Sequence, residues 1–318
     1  MSISKVALAG KGRLGSVVLD ELLKAGYKVT VLTQSVLSLN DIPDGIGINE
    51  VDYTSYASQS ILQAALTGFD AVVSTVAGVA VSSQKPLIDA AIAAGVKHFI
   101  PADYAMSLRA PEIRRLPPYT DVVEIENYLR AQTDDGRAKM AWTVVACGGF
   151  LEYSFDLPFM IDLPNRRIDI VNGGDVPFSI SEFRTVAKAI VGVLGQPERV
   201  VGHCVQVHGM LVTQNQVLGI AKKYSADPES WIVNEKEAAV RFEEGMDMLR
   251  RGEFTMQAVS TLMAGVIWDP KYEAGFKETD NEWLGIEEIP KERLEETIRD
   301  KLLSGVSGIA SDKIVSNV

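Results

Sequence analysis

One short glycine-rich turn near the front of the chain constrains its fold more than any other feature. Gly10-Lys11-Gly12-Arg13-Leu14-Gly15 follows the apolar run Ser4–Ala9 (SKVALA). It opens Leu14–Ala25, whose apolar residues recur at helical spacing and which stops at Gly26. Strand, glycine turn and helix in that order begin a βαβ unit. The first glycine permits the tight turn, the second lets the backbone approach a pyrophosphate, and the third allows close helix–strand packing. The helix start adds free N–H groups and a partial positive charge. Residues 10–15 are therefore expected to hold the phosphates of a dinucleotide.

The alternation continues. Lys28–Thr33 (KVTVLT) is β-branched and strand-like, and Gly47–Asp52 reads as a third strand. Tyr56–Leu66 reads as a helix, Asp70–Val76 as a buried strand, Gln84–Ala94 as a helix and Lys97–Ile100 as a short strand. Strands spaced by helices of this length predict an α/β fold, a Rossmann-type doubly wound parallel sheet with helices on both faces. Ligands of such sheets bind at the carboxyl ends of the strands.

Beyond these come a helix at Thr120–Gln132 and a strand at Trp142–Ala146. The pattern then loosens. Ser154–Ser181 is rich in Pro, Gly and Asp, with a short hairpin expected at Ile168–Pro177. A helix at Ser181–Leu194 and a strand at His203–Val207 are expected to return to the sheet. Thr213–Val318 reads as mostly helical, with a strand-like piece at Trp231–Val233. The expected division is a dinucleotide-binding domain at 1–150, completed by 181–212. A smaller, mostly helical substrate lobe is expected from 151–180 and 213–318. The helix Lys291–Leu303 is expected to close that lobe or to join a homodimer.

Charge and cysteine usage exclude several classes. The net charge of -11 suits neither a phosphate backbone nor nucleic acid generally. Two cysteines, Cys147 and Cys204, form no disulfide framework and sit in apolar strand-like runs. His98, His203 and His208 share no metal-ligand spacing, so no metal is expected and all three read as structural. No signal peptide and no long apolar run is present, which implies a cytoplasmic protein without a membrane span.

The end of the second strand bears on the kind of dinucleotide. NAD binders place Asp or Glu about 20 residues past the glycine loop, to bond the ribose 2′-OH. Here that point reads Thr33-Gln34-Ser35, with no carboxylate to repel a 2′-phosphate. These three hydrogen-bonding side chains, with Lys11 and Arg13 of the glycine loop as counter-charges, are expected to accept one. The expected cofactor is NADP(H).

Several ordered segments then resemble a known family. They are the loop GKGRLG, VDYTS at Val51–Ser55, SILQAALTGFDAVVSTVAG at Ser60–Gly78, and HFIPADYAMS at His98–Ser107. WTVVACGGFLEY at Trp142–Tyr153 and NEWLGIEEIPKERLEETI at Asn281–Ile298 complete the set. Together they resemble the atypical short-chain dehydrogenases of the isoflavone reductase-like and NmrA-like group. The resemblance implies an NADPH-dependent reductase acting on a small-molecule substrate. It implies that Thr75, Val76 and Ala77 lie against the adenosine side and that Asp52 and Tyr53 lie near the adenine. It places Pro101 and Ala102 near the nicotinamide ribose, and Gly148 and Phe150 near the nicotinamide and substrate. Phe150, Tyr153 and Phe155 read either as pocket lining or as a core aromatic cluster.

The chain departs from that family at one position. The reductases carry a lysine three residues after an aromatic and three before an aliphatic. Tyr119 and Ile125 frame this position here, and it is Val122; residues 116–136 contain no lysine. A general acid typically contributes roughly 10²–10⁴-fold, so its loss matters. Asp103, Tyr104, Tyr119 and Tyr128 are the alternative acids. A second possibility is hydride addition to C=N⁺, which needs no acid because it neutralises a charge; Asp103 would then pair with the cation, and Val122 would face the substrate. The first expectation is an NADPH-dependent reductase of a small aromatic or heterocyclic secondary metabolite, transferring hydride to C=N⁺ or a conjugated C=C without the family lysine. A redox-coupled cyclase and a non-enzymatic NADP sensor stand as alternatives.

Overall fold

The computed structural model describes residues 2–39, 42–104, 106, 111–134, 136, 138–156, 159–200 and 203–304. Ala105 and Ser107 of the fourth resemblance segment, residues 157 and 158 of the Pro-rich stretch and the tail at 305–318 lie outside them.

The front of the chain builds the expected alternation. It runs β1 (Lys5–Ala9), α1 (Arg13–Lys24), β2 (Lys28–Thr33), β3 (Gly47–Glu50), α2 (Gln59–Leu66), β4 (Ala71–Ser74), α3 (Lys85–Ala93) and β5 (His98–Ile100). Next come α4 (Thr120–Thr133), β6 (Ala141–Trp142), β7 (Val144–Ala146) and β8 (Gly149–Phe150). Six strands form one parallel sheet in the order β3-β2-β1-β4-β5-β6. The central strands are buried on both faces, which is why they read as continuous apolar runs. The order reverses between β1 and β4, so the helices that follow leave on opposite faces and a crevice opens there.

The second half begins with β9 (Arg167–Val171), β10 (Phe178–Ser181), α5 (Phe183–Gly195), β11 (Cys204–Gln206) and β12 (Met210–Val212). It continues through α6 (Gln214–Tyr224), β13 (Ile232–Lys236), α7 (Ala238–Arg250), α8 (Met256–Ile267), α9 (Asn281–Leu284) and α10 (Lys291–Leu303). Strand β11 pairs in parallel with β7, which continues β6 past Thr143, so the chain does return to the sheet at its edge. Helix α5 comes back against α1 on one face, with Val186, Ile190 and Val193 packed beside Val18 and Leu22. Leu62, Leu87 and Leu129 cover the other face.

The expected hairpin at Ile168–Pro177 does not form. β9 instead pairs in parallel with β13, and β10 lies between β12 and β8. The Gly173 and Gly174 signal is real, but both residues sit at positive φ in a turn that carries the chain from one small sheet to another. A parallel partner from a distant segment leaves no local mark in sequence.

A separate core gathers Leu151, Phe155, Phe178, Leu262 and Trp268. α10 adds Leu294 and Ile298 to it. Among the described residues no helix is long and apolar enough to cross a membrane.

Candidate active site

The carboxyl ends of β1, β2, β4, β5 and β7 bring the expected site residues to one edge of the sheet. The glycine loop is the best-defined part. Gly10 adopts φ +87°, and a side chain there would press on the backbone of Thr75 and Val76 at 3.2 Å. A Cβ on Gly15 would stand 2.3 Å from the Gly10 carbonyl oxygen and 2.6 Å from Thr75 Oγ1. Gly12 is different: a Cβ there meets nothing within 4 Å. The two outer glycines are thus required by the protein itself, and the middle one faces open space. The first turn of α1 holds no acidic side chain, so its N–H groups meet no opposing charge there. These features fit a pyrophosphate.

Thr75 braces this loop. Its Oγ1 donates to the Gly10 carbonyl at 2.6 Å, and its N–H donates to the Ala9 carbonyl at 2.8 Å. Its buried side chain is therefore turned into the loop; Val76 is half-buried and Ala77 exposed.

The ribose end differs from expectation in two ways. Gln34 is exposed, whereas Thr33 is buried with its hydroxyl bonded to the Ser35 carbonyl at 2.9 Å. Counting along β2 finds no carboxylate, but the neighbouring strand supplies one. Asp52, just past β3, accepts from Gln34 Nε2 at 3.0 Å and from Thr54 Oγ1 at 2.7 Å. The Thr54 hydroxyl and amide, then Gln34, hold its carboxyl below the usual range. Arg13 also lies elsewhere than expected. Its guanidinium sits over the rings of Tyr153, 4.5 Å from the centroid, and Phe183, at 5.5 Å. The opening turn of α1 thus aims this side chain at the start of α5 and at the segment that follows β8. Phe150 packs edge-on against Tyr153 and Phe183, so these rings form a seat for a cation rather than a bare wall.

At the end of β5, Pro101 and Ala102 are buried, and the Ala102 amide is held by Gln84 Oε1 at 2.9 Å. Next comes Asp103. It is 5% exposed, and neither carboxyl oxygen has a hydrogen-bond partner. Burial pushes its carboxyl up to about 7, helped by the charge of Glu126 and opposed by Arg114. Glu126 is itself clamped by Arg114 and, at 2.8 Å, by Arg130.

The tyrosine candidates fare differently. Tyr104 donates its hydroxyl to the Ser74 carbonyl at 2.7 Å, and burial drives it far above the ordinary phenol range. Burial also raises Tyr119, which packs in the lobe core with Val122 beside it. Tyr128 donates to Asp89 at 2.6 Å. At neutral pH Asp103 is the group of these four poised between its two protonation states.

Gly148 stands at φ +71°, where a Cβ would fall 2.0 Å from the Ser179 carbonyl oxygen; the β8–β10 contact alone demands glycine there. Phe155 is a core residue. A cleft of about 500 Å³ opens between Phe159–Asp169 and α8 in the lobe, and neither Phe150, Tyr153 nor Phe155 lines it.

The thiols and imidazoles serve structure. The Cys147 thiol is buried, donates to the Tyr104 carbonyl and is pushed well up by burial. His98 bonds Thr143, His203 stacks on Trp142, and His208 bonds Ser179. Among the described residues no cluster of three or more metal-ligating side chains occurs. Sequence reasoning missed Gln84, Glu126, Arg114 and Phe183. None of the four is itself a motif residue, although Glu126 directly follows Ile125 of the Tyr119–Ile125 pattern.

This edge, on this sheet, defines a Rossmann-fold nucleotide-binding protein. The NmrA-like family model matches residues 4–230, and the chain belongs to that family. Its relatives include the oxidoreductase aprR of Aspergillus flavus, 29% identical over 255 residues that cover 79% of this chain and 83% of aprR. Another is the asnovolin J 5′,6′-dehydrogenase nvfM of Aspergillus novofumigatus, 28% identical over 262 residues and 77% of each chain. Among solved structures, the leucoanthocyanidin reductase–NADPH complex of Vitis vinifera superposes with a TM-score of 0.68. It is 17% identical and covers 94% of this chain and 100% of that one.

Proposed function

We propose that the protein is an NADP(H)-dependent oxidoreductase that reduces a conjugated C=C or C=N⁺ bond in a small aromatic or heterocyclic substrate. The carrying observation is the open space at Gly12 between two glycines that the fold itself requires. A loop shaped this way, at the start of a helix without acidic residues, suits a pyrophosphate. The names of aprR and nvfM and the NADPH of the reductase complex agree with that chemistry.

The bound cofactor would supply the hydride. Residues 10–15 would hold its phosphates, and Gln34 would face the adenosine ribose. Thr75 would keep the loop in shape. Residues 1–150 with 181–212 would serve the cofactor, and 151–180 with 213–318 would shape the substrate side. Apolar Val122, Phe150 and Tyr153 would exclude water around a flat substrate.

Titration calorimetry with NADPH and NADH tests the first half. Tighter binding of NADPH is expected, and equal or better binding of NADH overturns the cofactor choice. Loss of the reduced-nicotinamide absorbance on a panel of enones, imines and quinone methides tests the second. Tight NADPH binding with no turnover across the panel would favour a sensor instead.

A further inference from the structure

We propose that Asp103 fills the role left by the missing lysine, donating the proton that accompanies hydride addition, with Glu126 as the positioning residue behind it. The proposal rests on the reductase reading above.

The geometry has three parts. Asp103 lies immediately past β5, at the sheet edge where a ligand of this fold binds. Its backbone is held from the N-terminal side: the Ala102 amide is held by Gln84, and its own N–H donates to the Pro101 carbonyl at 2.9 Å. Its carboxyl is buried, yet both oxygens lack a partner. Leaving a buried polar group unsatisfied typically costs about 1–3 kcal/mol. A buried polar group without a partner calls for an explanation, and a catalytic role is one. A carbonyl oxygen of the substrate is the acceptor that a neutral carboxyl lacks.

The surroundings keep that proton in place at neutral pH. Burial disfavours the carboxylate, and the Glu126 charge opposes a second negative charge nearby. Glu126 is paired with Arg114 and, at 2.8 Å, with Arg130. Arg114 pulls the other way, and Tyr104, Tyr119 and Cys147 feel the Asp103 charge while carrying none themselves.

The step balances for an enone. The substrate gains hydride at its β-carbon, and the C=C electron pair moves onto the α-carbon and oxygen as an enolate. The Asp103 O–H bond breaks and its proton goes to the enolate, the hydride being what a bound cofactor would supply. The Asp103 carboxylate is recharged by one proton taken up from solvent.

The test uses the full chain, with trans-chalcone as the enone probe. Infrared difference spectra with NADP⁺ bound should show a protonated carboxyl band that titrates away near neutral pH and is missing in Asp103→Asn. Absence of such a band, or its persistence in the variant, overturns the proposal. Chalcone turnover should fall as pH rises through the same midpoint. It should drop at least 100-fold in Asp103→Asn, with NADPH affinity retained, and recover in part in Asp103→Glu. Glu126→Gln should move the midpoint to lower pH; a merely structural Glu126 would leave it where it is. Unchanged turnover in Asp103→Asn overturns the proposal and leaves the reductase reading intact. No turnover by the parent protein, with NADPH bound, overturns both.

Discussion

The glycine loop and the surroundings of Asp103 sit on the same edge of one sheet, yet they are built on opposite principles. The loop works through backbone: positive φ at Gly10, close contact at Gly15 and open space at Gly12. Asp103 works through environment: an aspartate made unusual by burial and by Glu126. A backbone device is written in the residues that form it. An environmental device is written in residues scattered along the chain.

The comparison can be broken most sharply at the glycines. Gly15→Ala should destabilise the fold by about 3 kcal/mol, the upper end for overpacking, because its Cβ meets the Gly10 carbonyl. Gly12→Ala should stay within about 1 kcal/mol of the parent while NADPH affinity falls. Urea unfolding and calorimetric titration would show this. Equal destabilisation in both variants would erase the distinction between a glycine needed by the fold and one needed by a ligand.

Next in size is the pH dependence of stability. The folded carboxyl of Asp103 is raised from 3.8 to about 7, so its contribution is fully present below about pH 4 and lost as pH rises through about 7. Three units at about 1.36 kcal/mol each set a ceiling of about 4 kcal/mol. Asp103→Asn should therefore be more stable than the parent above neutral pH, with the gap closing in acid. Urea unfolding across that window would check it, and a constant gap would mean that burial leaves Asp103 ordinary.

Smaller still, Thr75→Val should cost about 1 kcal/mol, the net value of the hydrogen bond to Gly10. A modest loss of NADPH affinity should accompany it in the same titrations. The smallest effect should come from Asp52→Asn. Removing a half-exposed charge beside Gln34 is worth less than about 1 kcal/mol, and should shift the NADPH-to-NADH affinity ratio a few-fold toward NADPH.

The legible parts of the molecule follow the same division. β1, the glycine loop and α1 could be read directly, because the residues that make the strand end, the turn and the helix start are consecutive in the chain. The pairing of β9 with β13 could not, since each strand's partner is far along the chain. Asp52 was missed as a neighbour of Gln34 for a related reason. Counting along β2 cannot see a carboxylate delivered by β3. Arg13 was legible as a cation in the loop, but its direction depended on Tyr153 and Phe183, which arrive from far along the chain. Asp103 could be picked out by residue type and place. Its protonation state required Glu126 and Arg114, which arrive from other segments.

The bond from Thr75 to the Gly10 carbonyl spans 65 residues of chain. It joins the loops that follow β1 and β4, the two strands at the point where the sheet order reverses. The hexapeptide around Gly10 therefore cannot take its final shape while it is the newest part of a growing chain. It must wait until β4 has docked, and contacts of such long range are slow to form. Competence to bind a nucleotide is consequently a late event in folding, and capture of the ligand then draws the equilibrium toward the finished sheet.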